Sequence, residues 1–323
     1  MRASGLGSAE GGGRISRRGA LRAAGLAGGA AALALAMRPR GAVLAQQAPT
    51  GPTSQAELTR LAEDLFIWRN AGYLMMVYVT DEGVITTDPS GQFNPKGPGL
   101  TKAVVASITD KPVKYVVYSH DHADHATGGA VFADTAQFVG HRLSAPKFAA
   151  RGDAGTPTPT VLVDDAMKLE LGGKTVELSY AGRNHSDNML VMNFPARRVL
   201  YAVDFIPVRA VQFRALPDAY PDEWIESFRK VEAMDFDTLV PGHPGGGGAQ
   251  WGSKDVVREQ REYMTDLMKA VSAARGKGFA DKSTEMVDAV RADLSPKYGT
   301  GLQFGPGLSE NIDGLITAGF TGV

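Results

Sequence analysis

The chain is 323 residues long, with 34 basic and 35 acidic side chains and no cysteine. The near balance hides an asymmetry: the first 45 residues hold seven arginines and one acid, so the 278 that follow carry 27 basic and 34 acidic groups, a net of −7. Such a balance gives no footprint for a polyanion, which excludes nucleic acid as an expected partner. Without cysteine no disulfide can staple the fold, so stability must come from packing.

Residues 1–45 stand apart from the rest. Ser16-Arg17-Arg18-Gly19-Ala20-Leu21-Arg22 resembles a twin-arginine export motif, with Ala20 where a bulkier apolar residue is usual. Ala23–Met37 is apolar, but its 15 residues are too few and too rich in alanine and glycine to span a membrane. Val43-Leu44-Ala45 then offers a small-residue cleavage site. The segment reads as a cleaved signal rather than an anchor, which places the mature protein in the periplasm with no stable membrane span. That route carries proteins that fold before export. A Pro/Gln linker (46–55) leads to the main domain (56–248), and the mature length suffices for one large α/β domain with a full core.

Within that domain Tyr73–Thr80 and Gly83–Thr87 alternate as a hairpin, the second run ending in Asp88-Pro89. Leu100–Thr109 has helical spacing, and the short apolar run Val113–Tyr118 predicts a buried strand. Gly128-Gly129 opens a short helix, and Ala136–Gly140 is a further strand. Leu162–Leu171, Thr175–Tyr180, Asn188–Phe194 and Arg198–Val203 follow as strands, with tight turns at Gly172-Gly173 and Pro195-Ala196. Asp222–Met234 reads as a helix and Thr238–Val240 as a last strand. The glycine run Pro244–Gly248 lacks the spacing of a phosphate cradle and reads as a loop. Lys254–Ala274 and Lys282–Leu294 are amphipathic helices of a C-terminal extension (249–323), with Met264, Leu267, Met268 and Val271 forming its packing stripe. Strands grouped early and late, with helices between, suit two sheets packed face to face with helices outside.

The chemistry concentrates in Ser119-His120-Asp121-His122-Ala123-Asp124-His125, on the loop leaving the Val113–Tyr118 strand. Imidazole nitrogen together with carboxylate oxygen suits a borderline divalent cation, zinc above all. His185, Asp204 and His243 also follow strand-like runs, and ligand sites gather where strand C-termini meet.

Taken together, His120-x-His122-x-Asp124-His125, Asn184-His185-Ser186-Asp187-Asn188, Tyr201-Ala202-Val203-Asp204 and Pro241-Gly242-His243 resemble the pattern of the metallo-β-lactamase superfamily over roughly Leu61 to His243. The resemblance implies an α/β fold, the αββα sandwich, here with a C-terminal helical extension. It implies that His120, His122 and His185 hold one Zn2+, that Asp124, His125 and His243 hold a second, and that Asp204 bridges them. Iron or manganese is the alternative in either site. With Asp204 where one group of β-lactamases has cysteine, the chain is more similar to the glyoxalase II and lactonase branches. The implied activity is an exported dinuclear zinc hydrolase. A metal-bridging hydroxide would cleave an ester, lactone, thioester or β-lactam bond of a small-molecule substrate, and Asp124 could accept the proton of the bridging water. Two other readings stay open: a mononuclear iron oxygenase resembling the sulfur dioxygenases, and a non-catalytic periplasmic metal-binding accessory protein. Oligomeric state is open.

Around the ligands, Asp88 and Asp121 are candidates for outer partners of metal-bound imidazoles, because such rings donate their second N–H to a carboxylate or carbonyl. A strand-end turn residue (Asp88) and a solvent-facing loop acid (Asp121) are the plain alternatives. His141 has no ligand role in the pattern and reads as a solvated or core-satisfied histidine, while Asp187 and Asn188 shape the His185 turn. Substrate choice should lie in Pro89–Gly99, Ser144–Thr160 and Phe205–Pro221, the last carrying Arg209 and Arg214.

Overall fold

A computed structural model describes residues 56–90, 97–212, 220–299 and 307–317. The segments expected as a signal (1–45) and a linker (46–55) lie outside the described residues, as do 91–96 and 213–219, with Arg214, of two expected mouth loops.

Seven strands form a first sheet in chain order: β1 (Ala56–Arg60), β2 (Leu65–Asn70), β3 (Tyr73–Val79), β4 (Val84–Thr87), β5 (Val113–Val117), β6 (Gln137–His141) and β7 (Val161–Val163). The first four pair antiparallel through tight hairpins, whereas β4 to β7 run parallel. Parallel neighbours need a crossover. Helix α1 (Gly97–Ile108) lies between β4 and β5, and α2 (Ala123–Ala126) lies between β5 and β6. Helix α3 (Ala145–Arg151) lies between β6 and β7. The second sheet takes β8 (Ala166–Leu171), β9 (Lys174–Tyr180), β10 (Leu190–Phe194), β11 (Val199–Tyr201), β12 (Thr238–Val240) and β13 (Gly252–Ser253) as neighbours in that order. Four more helices follow β11: α4 (Pro221–Glu232), α5 (Asp255–Gly276), α6 (Thr284–Tyr298) and α7 (Gly307–Thr317). No described helix is long and apolar enough to cross a membrane.

The main apolar cluster joins inward residues of both sheets, Ile67, Met76 and Val117 from the first and Val176, Leu190 and Leu200 from the second. It continues through Trp224 and Phe228 of α4 to Leu267 and Val271 of α5. A second cluster, with Trp68, Val116, Val105 and Phe148, covers the other face of the first sheet with α1 and α3. This is the expected sandwich with helices outside. The methionine stripe of α5 is buried, as its spacing predicts.

One expected strand is two. Leu162–Leu171 divides at Asp164-Asp165: β7 completes the first sheet, and β8 begins the second by pairing with β9. Asp164 pairs with exposed Arg142 there, and Asp165 O accepts the Tyr180 N–H at 2.8 Å. An apolar run has the same period in either sheet, so periodicity alone could not show the crossing.

The strand registers place the loops that carry the candidate ligands. Tyr201 lies opposite Val240 in the parallel pair β11/β12, so Asp204 and His243 sit at equal offsets, three residues past paired positions. Thr87 lies opposite Val117 in β4/β5, which sets Asp88 and the His120 loop side by side. At the far end of the strands, buried Asp64 receives Arg197 at 2.7 and 2.8 Å and also Lys174, tying the entry to β2 to two hairpins of the second sheet.

Candidate metal centre

Four strand ends deliver the seven polar side chains to one place. The loop after β5 carries His120, His122, Asp124 and His125, with His122 at the N-cap position of the short helix α2. The loop after β9 carries His185, that after β11 Asp204, and that after β12 His243. They fall into two groups, His120/His122/His185/Asp204 and Asp124/His125/Asp204/His243. Within each group the candidate ligand atoms lie within 4.8 Å of one another. Asp204 belongs to both.

The distances show how the groups share that acid. Asp204 Oδ2 is 3.0 Å from His125 Nε2, 3.5 Å from His185 Nε2 and 3.8 Å from His120 Nε2, and Oδ1 is 3.2 Å from His243 Nε2. Ring nitrogens converge in pairs, His185 Nε2 with His122 Nδ1 at 3.1 Å and His125 Nε2 with His243 Nε2 at 3.1 Å. Asp124 reaches His125 from the half-open side, its Oδ2 3.6 Å from Nε2.

Electrostatics make the arrangement costly without a cation. Burial pushes the His120 ring well below its usual range, and the His122 and His125 rings beside it push the same way. Burial opposes charge on His125 as well, but Asp204 and Asp124 overcome it and lift the ring to about 9. Asp204, despite burial, is held well below the carboxylate range by His125 and His243. His120 Nε2 is buried with no hydrogen-bond partner. A buried ring nitrogen without a partner, in a cage of imidazoles around a buried carboxylate, fits a divalent cation, and the donor set is of the kind such cations take.

Backbone and neighbours orient the rings. His243 Nδ1–H donates to Gly72 O at 2.7 Å, across the β2/β3 hairpin, which leaves Nε2 facing the group. His120 Nδ1 meets Ser119 Oγ at 2.9 Å. Tyr73 packs its ring 4.9 Å from His243 and 5.5 Å from His125. Gly242 is required: a Cβ there would stand 2.3 Å from Val203 Cγ1 and 2.9 Å from both Asp204 Oδ1 and His125 Cε1.

Of the outer candidates, Asp88 takes the Ser119 N–H at 2.8 Å and the Tyr201 O–H at 3.1 Å; it anchors the start of the loop rather than hydrogen-bonding an imidazole. Its backbone is left-handed, φ +39°, an uncommon conformation for a residue with a side chain. Asp121 is buried, not solvent-facing. Asn188 Oδ1 accepts its N–H at 3.0 Å, Asn188 Nδ2 donates to its carboxylate at 2.6 Å, and Arg151 donates to its carbonyl at 2.7 Å. Asn188 therefore does more than shape its own turn: it fastens the His185 loop to the peptide between His120 and His122. His141 stacks on Tyr180 with ring centres 4.1 Å apart, a packed core histidine away from the cluster. Gly72, Ser119 and Tyr73 are the contributors that residue types alone did not reveal.

Comparison with known proteins agrees with this geometry. The profile of the Metallo-beta-lactamase superfamily matches residues 76–243. The chain is 31% identical over 169 residues to the 2,4-dinitroanisole O-demethylase subunit alpha of Nocardioides sp. (strain JS1661), a match covering 50% of this chain and 50% of that protein. It thus spans about half the length of that relative. It is 23% identical over 228 residues to the beta subunit of the same enzyme, covering 69% of this chain and 68% of that one. Among solved structures, a metallo-beta-lactamase from Pontibacter korlensis superposes with a TM-score of 0.51 at 20% identity, covering 68% of this chain and 99% of that chain, a likeness of fold.

Proposed function

Because the chain belongs to the metallo-beta-lactamase superfamily, a family of metal-dependent enzymes of hydrolase type, we propose that it is an exported dinuclear zinc hydrolase acting on a small molecule. The observation that carries two cations rather than one is Asp204, a single buried carboxylate within 4 Å of His120, His125, His185 and His243. A mononuclear iron oxygenase would have no use for the Asp124/His125/His243 group.

Zinc at the two groups supplies Lewis acidity and a water acidified toward neutral pH. The chain's own residues do the rest. His120, His122 and His185 form the first cage and Asp124, His125 and His243 the second, with Asp204 common to both. Gly72 O fixes the His243 tautomer. Asp124, on the half-open side, is placed to take the proton that the attacking water releases. The bond broken is of the ester, lactone, thioester or β-lactam type. The similarity to the O-demethylase subunits supports adding activated aryl methyl ethers. Water would add at the electron-poor ring carbon and methanol would leave, with no oxidant needed.

Metal analysis of protein purified without added metal, followed by assay of the zinc form on esters, lactones, thioesters, β-lactams and 2,4-dinitroanisole, tests the reading. Two zincs per chain with hydrolysis of one class support it; one iron with oxygen consumption contradicts it. Export rests on Arg17 and Arg18, and replacing both by lysine should trap precursor in the cytoplasm.

A further inference from the structure

Two features that hold no metal ligand meet on one segment: the glycine run after His243 and the C-terminal helices. The segment is Phe205–Gln212, which leaves the site directly after Asp204. On one side, Gly246 N–H donates to Val208 O at 3.0 Å. A Cβ on Gly245 would stand 1.9 Å from that same oxygen, so glycine is what lets the His243 loop lie against the segment. On the other side stands Gln260 of α5. Its Nε2 donates to Pro207 O at 3.0 Å and Ala210 O at 2.8 Å, and its Oε1 accepts from Gln212 Nε2 at 3.0 Å. Asn311 of α7 donates to Gln212 O at 2.8 Å and accepts from Tyr263 O–H at 2.9 Å.

Gln212, Gln260 and Asn311 are all buried among apolar helix faces. Burying an amide is unfavourable unless its donors and acceptors are paired. Gln260 and Asn311 direct their amide donors at carbonyls of this one segment. The α5 stripe of Met264, Leu267, Met268 and Val271 would pack as well without them. We propose that Gln260 is a positioning residue for the metal site. By fixing Pro207 and Ala210 it holds Val208 O where Gly246 needs it, and so sets the His243 loop relative to Asp204. The C-terminal helices are then part of the site's support. The effect falls on the group containing His243, since His120, His122 and His185 are placed by β5 and β9. The proposal rests on the two-cation reading above.

Zinc binding to the metal-free protein, followed by calorimetry and by metal content after dialysis, tests it in the parent, Gln260→Leu, His243→Ala and the double variant. Gln260→Leu should weaken one zinc site by about ten-fold or more and the other by less than about three-fold, the scale of losing an outer support. In the His243→Ala background, where a single zinc remains, adding Gln260→Leu should leave its affinity unchanged. Gly245→Ala crowds the same oxygen from the opposite side and should reproduce the selective loss, which keeps the test open if Gln260→Leu folds poorly. Circular dichroism and Tm report the fold of each variant. Equal weakening of both sites, or weakening that persists without His243, overturns the proposal. A parent that binds only one zinc overturns the two-cation reading and this proposal with it, and is told apart because it appears before any variant is made.

Discussion

The Asp204 carboxylate meets the His125 ring at 3.0 Å, and both side chains are buried. This pair explains the opposite shifts of its members: the acid is held ionised well below the usual range, and the imidazole is held protonated up to about 9. In the metal-free protein a proton therefore occupies the charge balance that a cation takes over on binding.

The sign of the pH dependence follows. His125 has a raised value in the folded state against about 6.5 unfolded, so its contribution to metal-free stability is complete below about pH 6.5 and is lost as pH rises through about 9. Binding a cation must release that proton. Zinc affinity should then rise with pH up to about 9, by about ten-fold per unit for this proton alone. Calorimetry in buffers of different ionisation enthalpy measures the protons released; none released at pH 7 would contradict the assignment.

His122 is partly exposed at the N-terminal boundary of a four-residue helix, where its side chain makes no capping hydrogen bond, whereas its Nδ1 points into the first group. His122→Ala should remove hydrolysis, by at least about a hundred-fold if several kcal/mol of charge stabilisation go with the metal, while Tm of the metal-free protein barely moves. Near-normal turnover in this variant would sink the mechanism.

Gly242 has no room for a side chain. Gly242→Ala should lower zinc content and Tm together, because the added methyl meets Val203, Asp204 and His125 at once. A variant with full metal content and parental Tm would show that the loop has slack the structure does not display.

Far from the chemistry, Asp64 holds Arg197 and Lys174. Burial raises its pKa, but hydrogen bonds from the two cations outweigh that and leave it lowered. The stability it contributes is present above the unfolded value of about 3.9 and is lost as pH falls through the lower native value. Asp64→Asn should cost on the order of 2 kcal/mol, lowering Tm at pH 7 by about 4–8 °C. It should also flatten the acid limb of stability against pH. Denaturation at pH 3 and pH 7 checks both effects.

Much of the site was legible because its residue types are rare and chemically specific: a histidine or aspartate directly after an apolar run stands out. What supports the candidate ligands was less legible. Gly72 acts through a carbonyl, which every residue has, and Asn188 acts across 67 positions on Asp121. Asp88, a candidate partner of an imidazole, holds the Ser119 peptide rather than a ring. In the fold, the crossing at Asp164-Asp165 is not legible in the sequence because a strand's period does not say which sheet it joins. Helix α7 is not among the elements the sequence predicts, although Leu308, Ile312 and Leu315 fall on one helical face and are buried.

The central claim is that Asp204 joins two cation sites, and metal content per chain tests it most directly. Zinc-reconstituted parent protein should hold two zincs per chain, and His243→Ala should hold one. A parent holding one metal, or a His243→Ala variant that binds as much zinc as the parent, would contradict the account.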